Sequence, residues 1–258
     1  MSQQTQITRV ALYYKEWLRQ FPTFAALAQA STADVLRAWS GLGYNSRALR
    51  FHRLATEVVT RFHSRLPRDP VTLCTLPGIG TYTAHAVACF AFGARVPVVD
   101  VNIRRILTRW TVVVRSADEQ IAEKEAWERA EQFLPAKEFF EWNQALMDLG
   151  GMICTAKNPL CSECPAARWC ASAFSPSLTR RLDSMKKSEP QWRGTPRRLL
   201  RGRMLKALHH HALTAEELAA MLWNDAGRDD VQWVKDVLAM MCADGLLSQR
   251  GARFSLTA

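Results

Sequence analysis

No stretch of the 258-residue chain approaches the roughly 18 consecutive apolar residues that a membrane-crossing helix needs. Its opening, MSQQTQITRV, has no charged region leading into an apolar stretch. The expectation is an intracellular protein, cytoplasmic and nucleoid-associated if bacterial, with no membrane partner. Internal repeats and low-complexity tracts are missing too, and the first 150 residues hold no convincing run of strand-like alternation. Acidic residues are in deficit: 24 Asp and Glu stand against 34 Lys and Arg, a formal charge of +10. That balance favours a polyanion such as nucleic acid, with acidic membranes and other proteins as alternatives. A disulfide framework also fits poorly, because the seven cysteines are an uneven number and four of them are bunched. In a reducing compartment that pattern points to a metal site.

With 48% hydrophobic and 22% charged residues the chain is ordinary for a globular protein, and its length suits one large domain or two modest ones. Ile7, Val10, Ala11, Tyr14, Trp17, Leu18 and Phe21 recur at helical steps and predict one buried helical face. Further helices are expected around 33–39, 46–62, 81–92, 102–110, 120–133 and 137–149. Between Arg180 and Lys206 ten Lys or Arg meet only Asp183 and Glu189, a net +8. This stretch reads either as a solvated, flexible linker or as a tether that follows a phosphate backbone. Beyond it come three helices, at about 198–209, after a capping-box pattern at Thr214–Glu217, and at about 230–243. Two short apolar runs then flank Arg250-Gly251 as a hairpin would. Three helices and such a hairpin suggest a winged-helix-like unit, a class that binds DNA or mediates protein contacts.

Three local patterns carry chemistry. In TLPGIGTYTAHAV, Thr75–Val87, a proline and two glycines crowd directly before a helix. Such a turn exposes backbone amides at the positive end of the helix dipole, which suits a phosphate, although a plain helix-helix corner would look the same. Asp100 stands between VPVV and a helical stretch, as an N-cap would. Cys154, Cys161, Cys164 and Cys170 form C-x6-C-x2-C-x5-C, four thiolates that could hold zinc or an iron–sulfur cluster. Cys74, Cys89 and Cys242 read as core residues.

LPGIGTYTAHAVACFAFG followed by VVDVNIRRIL resembles the helix-hairpin-helix and Gly/Pro-Asp loop of the endonuclease III superfamily of DNA glycosylases. The cysteine spacing is similar to the [4Fe–4S] motif of the same enzymes. SQQTQITRV and FPTFAALAQASTADVLRAWSGLGYNSRALRFHRLA are very similar to adenine DNA glycosylases of the MutY type, and the resemblance runs over about residues 1–175. It implies an all-α helix-hairpin-helix glycosylase domain at 1–175 with a cluster loop at 154–170, a basic linker at 176–196, and the winged-helix-like unit at 197–258.

The same resemblance implies site residues. Leu76, Pro77, Gly78, Ile79, Gly80 and Thr81 would hold a DNA phosphate, and Gln4 and Tyr44 would enter the base stack near the lesion. Asp100 would stabilise positive charge on the deoxyribose as the base departs, with Tyr82 and Asn102 completing the pocket. Bifunctional relatives carry a lysine where this chain has Tyr82, so a monofunctional enzyme is expected, one that removes adenine opposite 8-oxoguanine or guanine from double-stranded DNA and acts as a monomer. Two alternatives are a glycosylase for T·G mispairs and a non-catalytic DNA-binding protein. The chain departs from the family in three places. Val101 replaces a glycine. Residues 197–258 are too short and too helical for the Nudix-like domain of many relatives. The place of the family's acid, a glutamate just ahead of QQTQ, falls before Met1; a start assigned to an internal methionine is the expected reason, with a truncated and catalytically crippled protein as the alternative.

Overall fold

In the computed structural model of the chain the described residues are 1, 5, 7–179 and 189–257. They form helices joined by loops and two small antiparallel sheets. Contacts group the chain into two units, Met1–Leu66 with Leu76–Gly78 and Lys187–Ala258, and Pro67–Thr75 with Ile79–Lys186.

The first unit begins with α1 (Ile7–Gln20), α2 (Phe24–Gln29), α3 (Thr32–Trp39) and α4 (Ser46–Phe62). Thr23 and Ser31 start α2 and α3 by accepting the amides of Ala26 and Asp34, each at 3.1 Å. The apolar face of α1 is narrower than its sequence predicts. Trp17 and Phe21 are buried and Val10 is half-buried, but Ile7, Ala11, Tyr14 and Leu18 are exposed. At 100° per residue the expected seven span about 120°, and the core takes the edge carrying Trp17, Val10 and Phe21 and leaves the neighbouring stripe in solvent. Trp17 stacks on Phe51 and meets Trp39 edge-on. At six residues, α2 is too short to show a period in the sequence.

The C-terminal elements of this unit share the same core. They are β1 (Gln191–Trp192), β2 (Thr195–Pro196), β3 (Leu213–Thr214), β4 (Leu247–Arg250) and β5 (Arg253–Leu256). With them come the helices Arg197–Ala207, Ala215–Leu222 and Arg228–Ala243, here called C1, C2 and C3. Leu200, Leu218, Leu238 and Phe254 are buried in one cluster with Leu36 and Trp39, each large side chain contributing about 1.5–3 kcal/mol. The capping box is formed: Glu217 N donates to Thr214 Oγ1 and Thr214 N to Glu217 Oε2. The hairpin also forms, with Arg250 paired to Arg253 across Gly251, and β5 lies between β3 and β4. Inside the stretch expected to be linker, β1 and β2 pair across Arg193-Gly194. Trp192 Nε1 and Arg193 Nη2 both donate to buried Asp230, at 2.8 and 2.9 Å.

The second unit contains α5 (Pro70–Cys74), α6 (Thr81–Phe92), α7 (Val101–Thr111), α8 (Glu123–Phe133) and α9 (Phe139–Asp148). Its core is α7, whose Ile103, Ile106 and Leu107 pack with Ile121, Ala126, Leu146 and Leu149. After α9 the chain widens into a π-helical turn at Leu149–Ile153 and then runs through the four clustered cysteines. Of the three cysteines assigned to the core, Cys89 is buried and Cys242 half-buried, but Cys74 is exposed. The one-and-a-half-turn α5 aims Leu73 inward, which turns the next residue out.

Candidate active site

Asp100 is held by its own helix. Oδ1 accepts the amides of Asn102 and Ile103 at 2.9 and 2.7 Å, and Oδ2 accepts Asn102 Nδ2 at 2.9 Å. The N-cap expected from sequence is therefore formed, and it fixes the carboxylate while leaving the residue partly open to solvent. The extended segment that delivers Asp100 is braced from two helices. Asn143 of α9, itself buried, accepts the amide of Val98 at 2.9 Å and donates to Val96 O at 3.0 Å. From α6, the ring of His85 bonds Pro97 O at 2.9 Å. Tyr82, on the first turn of α6, is half-buried near this carboxylate: burial, and then the charge of Asp100, push its phenol pKa above the usual range.

A chain of hydrogen bonds leads away from Asp100. Asn102 Oδ1 accepts Arg105 Nη1 at 3.0 Å, and Arg105 donates onward to Gly150 O and Cys154 O at 2.8 and 2.9 Å. Burial lowers the pKa of this guanidinium, and the charges of Cys154 and Asp100 act the other way. Gly150 is required by close approach, because a Cβ there would lie 2.8 Å from Asn102 Cβ. Arg105, Asn143, His85 and Gly150 were not singled out from sequence. A usable signal existed for Arg105 and Arg109: both are charged yet recur at a four-residue step on a helix whose other inward positions are Ile, Leu and Thr.

All four clustered cysteines line one cavity, together with Arg109, Trp110, Ile153, Leu160 and Leu178. Arg109 Nη1 lies 3.4 Å from Cys154 Sγ, and Cys170 Sγ donates to Arg109 O at 3.1 Å. Burial, and with a smaller effect the other three sulfurs, push the Cys170 thiol up. Among the described residues no three His, Cys, Asp or Glu are gathered to hold a single metal ion.

In the predicted phosphate loop, Leu76 is buried, Pro77 and Ile79 are half-buried, and Gly78, Gly80 and Thr81 are exposed. Gly78 has φ +80° and lies where a Cβ would come within 3.0 Å of Arg50 Cβ. Gly80 starts α6 with no side-chain cap, so nothing from that residue covers the helix N-terminus. Tyr44 belongs to the first unit and is 60% exposed at φ +47°, between Gly43 and Asn45. The Arg47 guanidinium lies over its ring. Gln4 lies outside the described residues. Tyr82, Asp100, Asn102 and the four cysteines are thus placed in the second unit, and Tyr44 in the first.

Residues 1–132 match the family described as HhH-GPD superfamily base excision DNA repair protein. An adenine DNA glycosylase of Mycolicibacterium smegmatis is 38% identical over 99% of this chain and 84% of its own length. One from Mycobacterium tuberculosis is 40% identical over 98% and 84%. The chain belongs to the HhH-GPD superfamily, in its adenine DNA glycosylase branch. Of solved structures, a thermostable thymine-DNA glycosylase is 28% identical with a TM-score of 0.61, over 66% of this chain and 78% of that one. A trapped endonuclease III–DNA covalent intermediate shares the fold at a TM-score of 0.59 and 23% identity, over 67% of this chain and 79% of that one. The adenine enzymes of mycobacteria align over nearly the whole chain, C-terminal unit included, whereas the human adenine DNA glycosylase aligns over 66% of it.

Proposed function

We propose that this chain is a monofunctional DNA glycosylase that removes adenine mispaired with 8-oxoguanine or guanine in base excision repair. The observation that carries the reading is near-full-length similarity to adenine DNA glycosylases combined with a carboxylate, Asp100, fixed at a helix N-terminus beside Tyr82. As the bond between C1′ and the adenine nitrogen breaks, its electron pair leaves with the base and positive charge develops on the sugar. A preoriented carboxylate stabilises that charge without reorganising. The departing adenine takes up a proton, water adds to C1′ and gives up a proton in balance, and the products are free adenine and an abasic site. Tyr82 offers no amine for a Schiff base, so the strand stays intact.

Gly78, Gly80 and Thr81 give the turn its open backbone for a DNA phosphate, with Leu76, Pro77 and Ile79 setting its shape. Tyr44, with Gln4, enters the duplex beside the target base; an exposed tyrosine held in the left-handed region is the kind of strain found at functional loops. Cys154, Cys161, Cys164 and Cys170 fit a [4Fe–4S] cluster, because all four cysteines line one largely apolar cavity together with a buried arginine. Such a cluster would cross-link the 154–170 loop; the hydrolysis itself is redox-neutral. Helices C1–C3 with β3–β5 fit a winged-helix-like unit.

The test is single-turnover base release, with alkaline cleavage of abasic sites, on duplexes holding A opposite 8-oxoguanine, A opposite G, and T opposite G. It compares the chain, the chain with a glutamate-bearing segment supplied ahead of Met1, and Asp100→Asn in each. Adenine release that disappears in Asp100→Asn, with no strand cleavage before alkali, is the expected result. Preferential thymine release, or binding with no base release in any form, overturns it.

A further inference from the structure

The charges of the C-terminal unit are sorted by helix. C1 (Arg197–Ala207) carries Arg197, Arg198, Arg201, Arg203 and Lys206 and no acid. C2 (Ala215–Leu222) carries Glu216 and Glu217 and no base. C3 (Arg228–Ala243) carries Asp229, Asp230 and Asp236 against Arg228 and Lys235. In a helix-turn-helix reader the helix in C3's position enters the major groove, where its residues must approach bases lined by phosphates. Here C2 and C3 together are net negative, and Lys235 is occupied by Glu216 at 2.9 Å. That pair of helices would be repelled by DNA.

C1 is different. Arg201 is tied to Asp244, Arg198 to Glu189, and Arg197 is half-buried against Met240 of C3. Arg203 and Lys206 are exposed, and among the described residues neither has an ion-pair partner. They lie on one outward face with Leu199 and Gly202, at steps of three and four. Gly202 is the odd member. It sits in the middle of an eleven-residue helix, where glycine is less stable than alanine. No neighbour requires it, since a Cβ there would meet nothing within 4 Å. A helix that gives up this stability on an open face, beside two cations with no ion-pair partner among the described residues, leaves room for a backbone to come close.

We infer that the outward face of C1, centred on Gly202 with Arg203 and Lys206, is a docking surface for the phosphate backbone of duplex DNA, and that C3 does not read bases. This rests on the reading of the chain as a DNA glycosylase and adds to it a second, sequence-independent contact made by the C-terminal unit. Such a contact raises residence on DNA of any sequence and owes nothing to Asp100.

The test uses a matched, lesion-free duplex, so that base excision plays no part. Anisotropy titrations of a labelled 25-base-pair duplex with the full chain are run over a range of salt concentrations. The variants are Arg203→Ala/Lys206→Ala, Gly202→Leu, and Arg228→Ala/Lys235→Ala as the control on C3. Loss of two phosphate contacts should lower the slope of log affinity against log salt by about two and weaken binding by roughly tenfold near physiological salt. Gly202→Leu should weaken binding several-fold while thermal unfolding stays unchanged or moves upward, and the control should stay within about twofold of the parent chain. The inference is overturned if Arg203→Ala/Lys206→Ala binds within twofold of the parent with the same slope, if the C3 control accounts for the loss, or if the parent chain does not bind the duplex. A chain that binds in this way yet releases no adenine loses the glycosylase reading and keeps this contact; one that releases adenine while the C1 variants bind normally does the reverse.

Discussion

Asp100 and Tyr44 are both expected to meet DNA, and the protein holds them in opposite ways. Asp100 is secured by four separate devices: its own helix amides, Asn102, the Asn143 bonds to Val96 and Val98, and the His85 bond to Pro97. Tyr44 stands in a loop with Gly41 and Gly43 at positive φ, itself at φ +47°, with its ring largely in solvent beneath Arg47. A group that must face a transient charge has to be in place before the charge appears. A group that must enter a stack of bases has to stay available. The difference between the two regions is one between preorganisation and readiness, and it can be broken in graded steps.

The largest effect is expected at the carboxylate itself. Asp100→Asn keeps the cap, since Asn caps helices about as well as Asp, but removes the negative charge. Single-turnover adenine release should fall by roughly 10³-fold or more, while the melting temperature stays within a few degrees. Equal loss of stability and activity would mean that the charge matters only for the fold.

Next comes Arg105→Leu. It leaves the carbonyls of Gly150 and Cys154 without their donor in a buried setting and frees Asn102 Oδ1. The expected cost is about 3 kcal/mol in chemical denaturation. Arg105→Lys should recover only part of it, because an ammonium cannot span three acceptors in the guanidinium plane. A smaller cost, about 2 kcal/mol, is expected for Asn143→Ala, which strands Val98 N and Val96 O. Its rate of adenine release should fall more than its stability predicts, as the segment carrying Asp100 loosens. Unchanged release in a stable Asn143→Ala protein would show that His85 and the cap suffice.

These braces were the part of the site that the sequence did not disclose. Helices α4 and α6 were legible to the residue, because the apolar spacing of α4 and the glycines at either end of α6 are local signals. The N-cap of Asp100 and the gathering of the four cysteines around one cavity were legible because these residues sit in short motifs with fixed spacing. Asn143 and His85 act 45 and 12 residues away from their partners. No local pattern marks an asparagine whose acceptors are backbone groups on another element. The exposed stripe of α1 failed for a related reason: periodicity states which residues share a face, and the width of the surface they meet is set by the rest of the fold. The C-terminal helices were legible as helices, but the burial of Asp230 by Trp192 and Arg193 was not, since it joins segments 37 and 38 residues apart.

The smallest effect on stability, and the sharpest test of the contrast, is expected at Tyr44. Replacing it by glycine relieves the left-handed backbone, worth about 1–2 kcal/mol. Against this stand the lost contact of Arg47 with the ring, about 0.5–1 kcal/mol at an exposed site, and the greater freedom of glycine in the unfolded chain, about 0.5–1 kcal/mol. These contributions nearly cancel, so Tyr44→Gly should change unfolding free energy by less than about 1 kcal/mol. Adenine release from the A opposite 8-oxoguanine duplex should nonetheless drop, and it should be restored in part by Tyr44→Phe, which keeps a stacking ring, and not by Tyr44→Asn, which tolerates the same backbone without one. If Tyr44→Gly instead loses 2 kcal/mol or more, the ring is a structural support for its loop and the two regions are held by the same logic after all. If stability holds and Tyr44→Asn recovers release, the backbone conformation of the loop is what matters and the aromatic face is incidental.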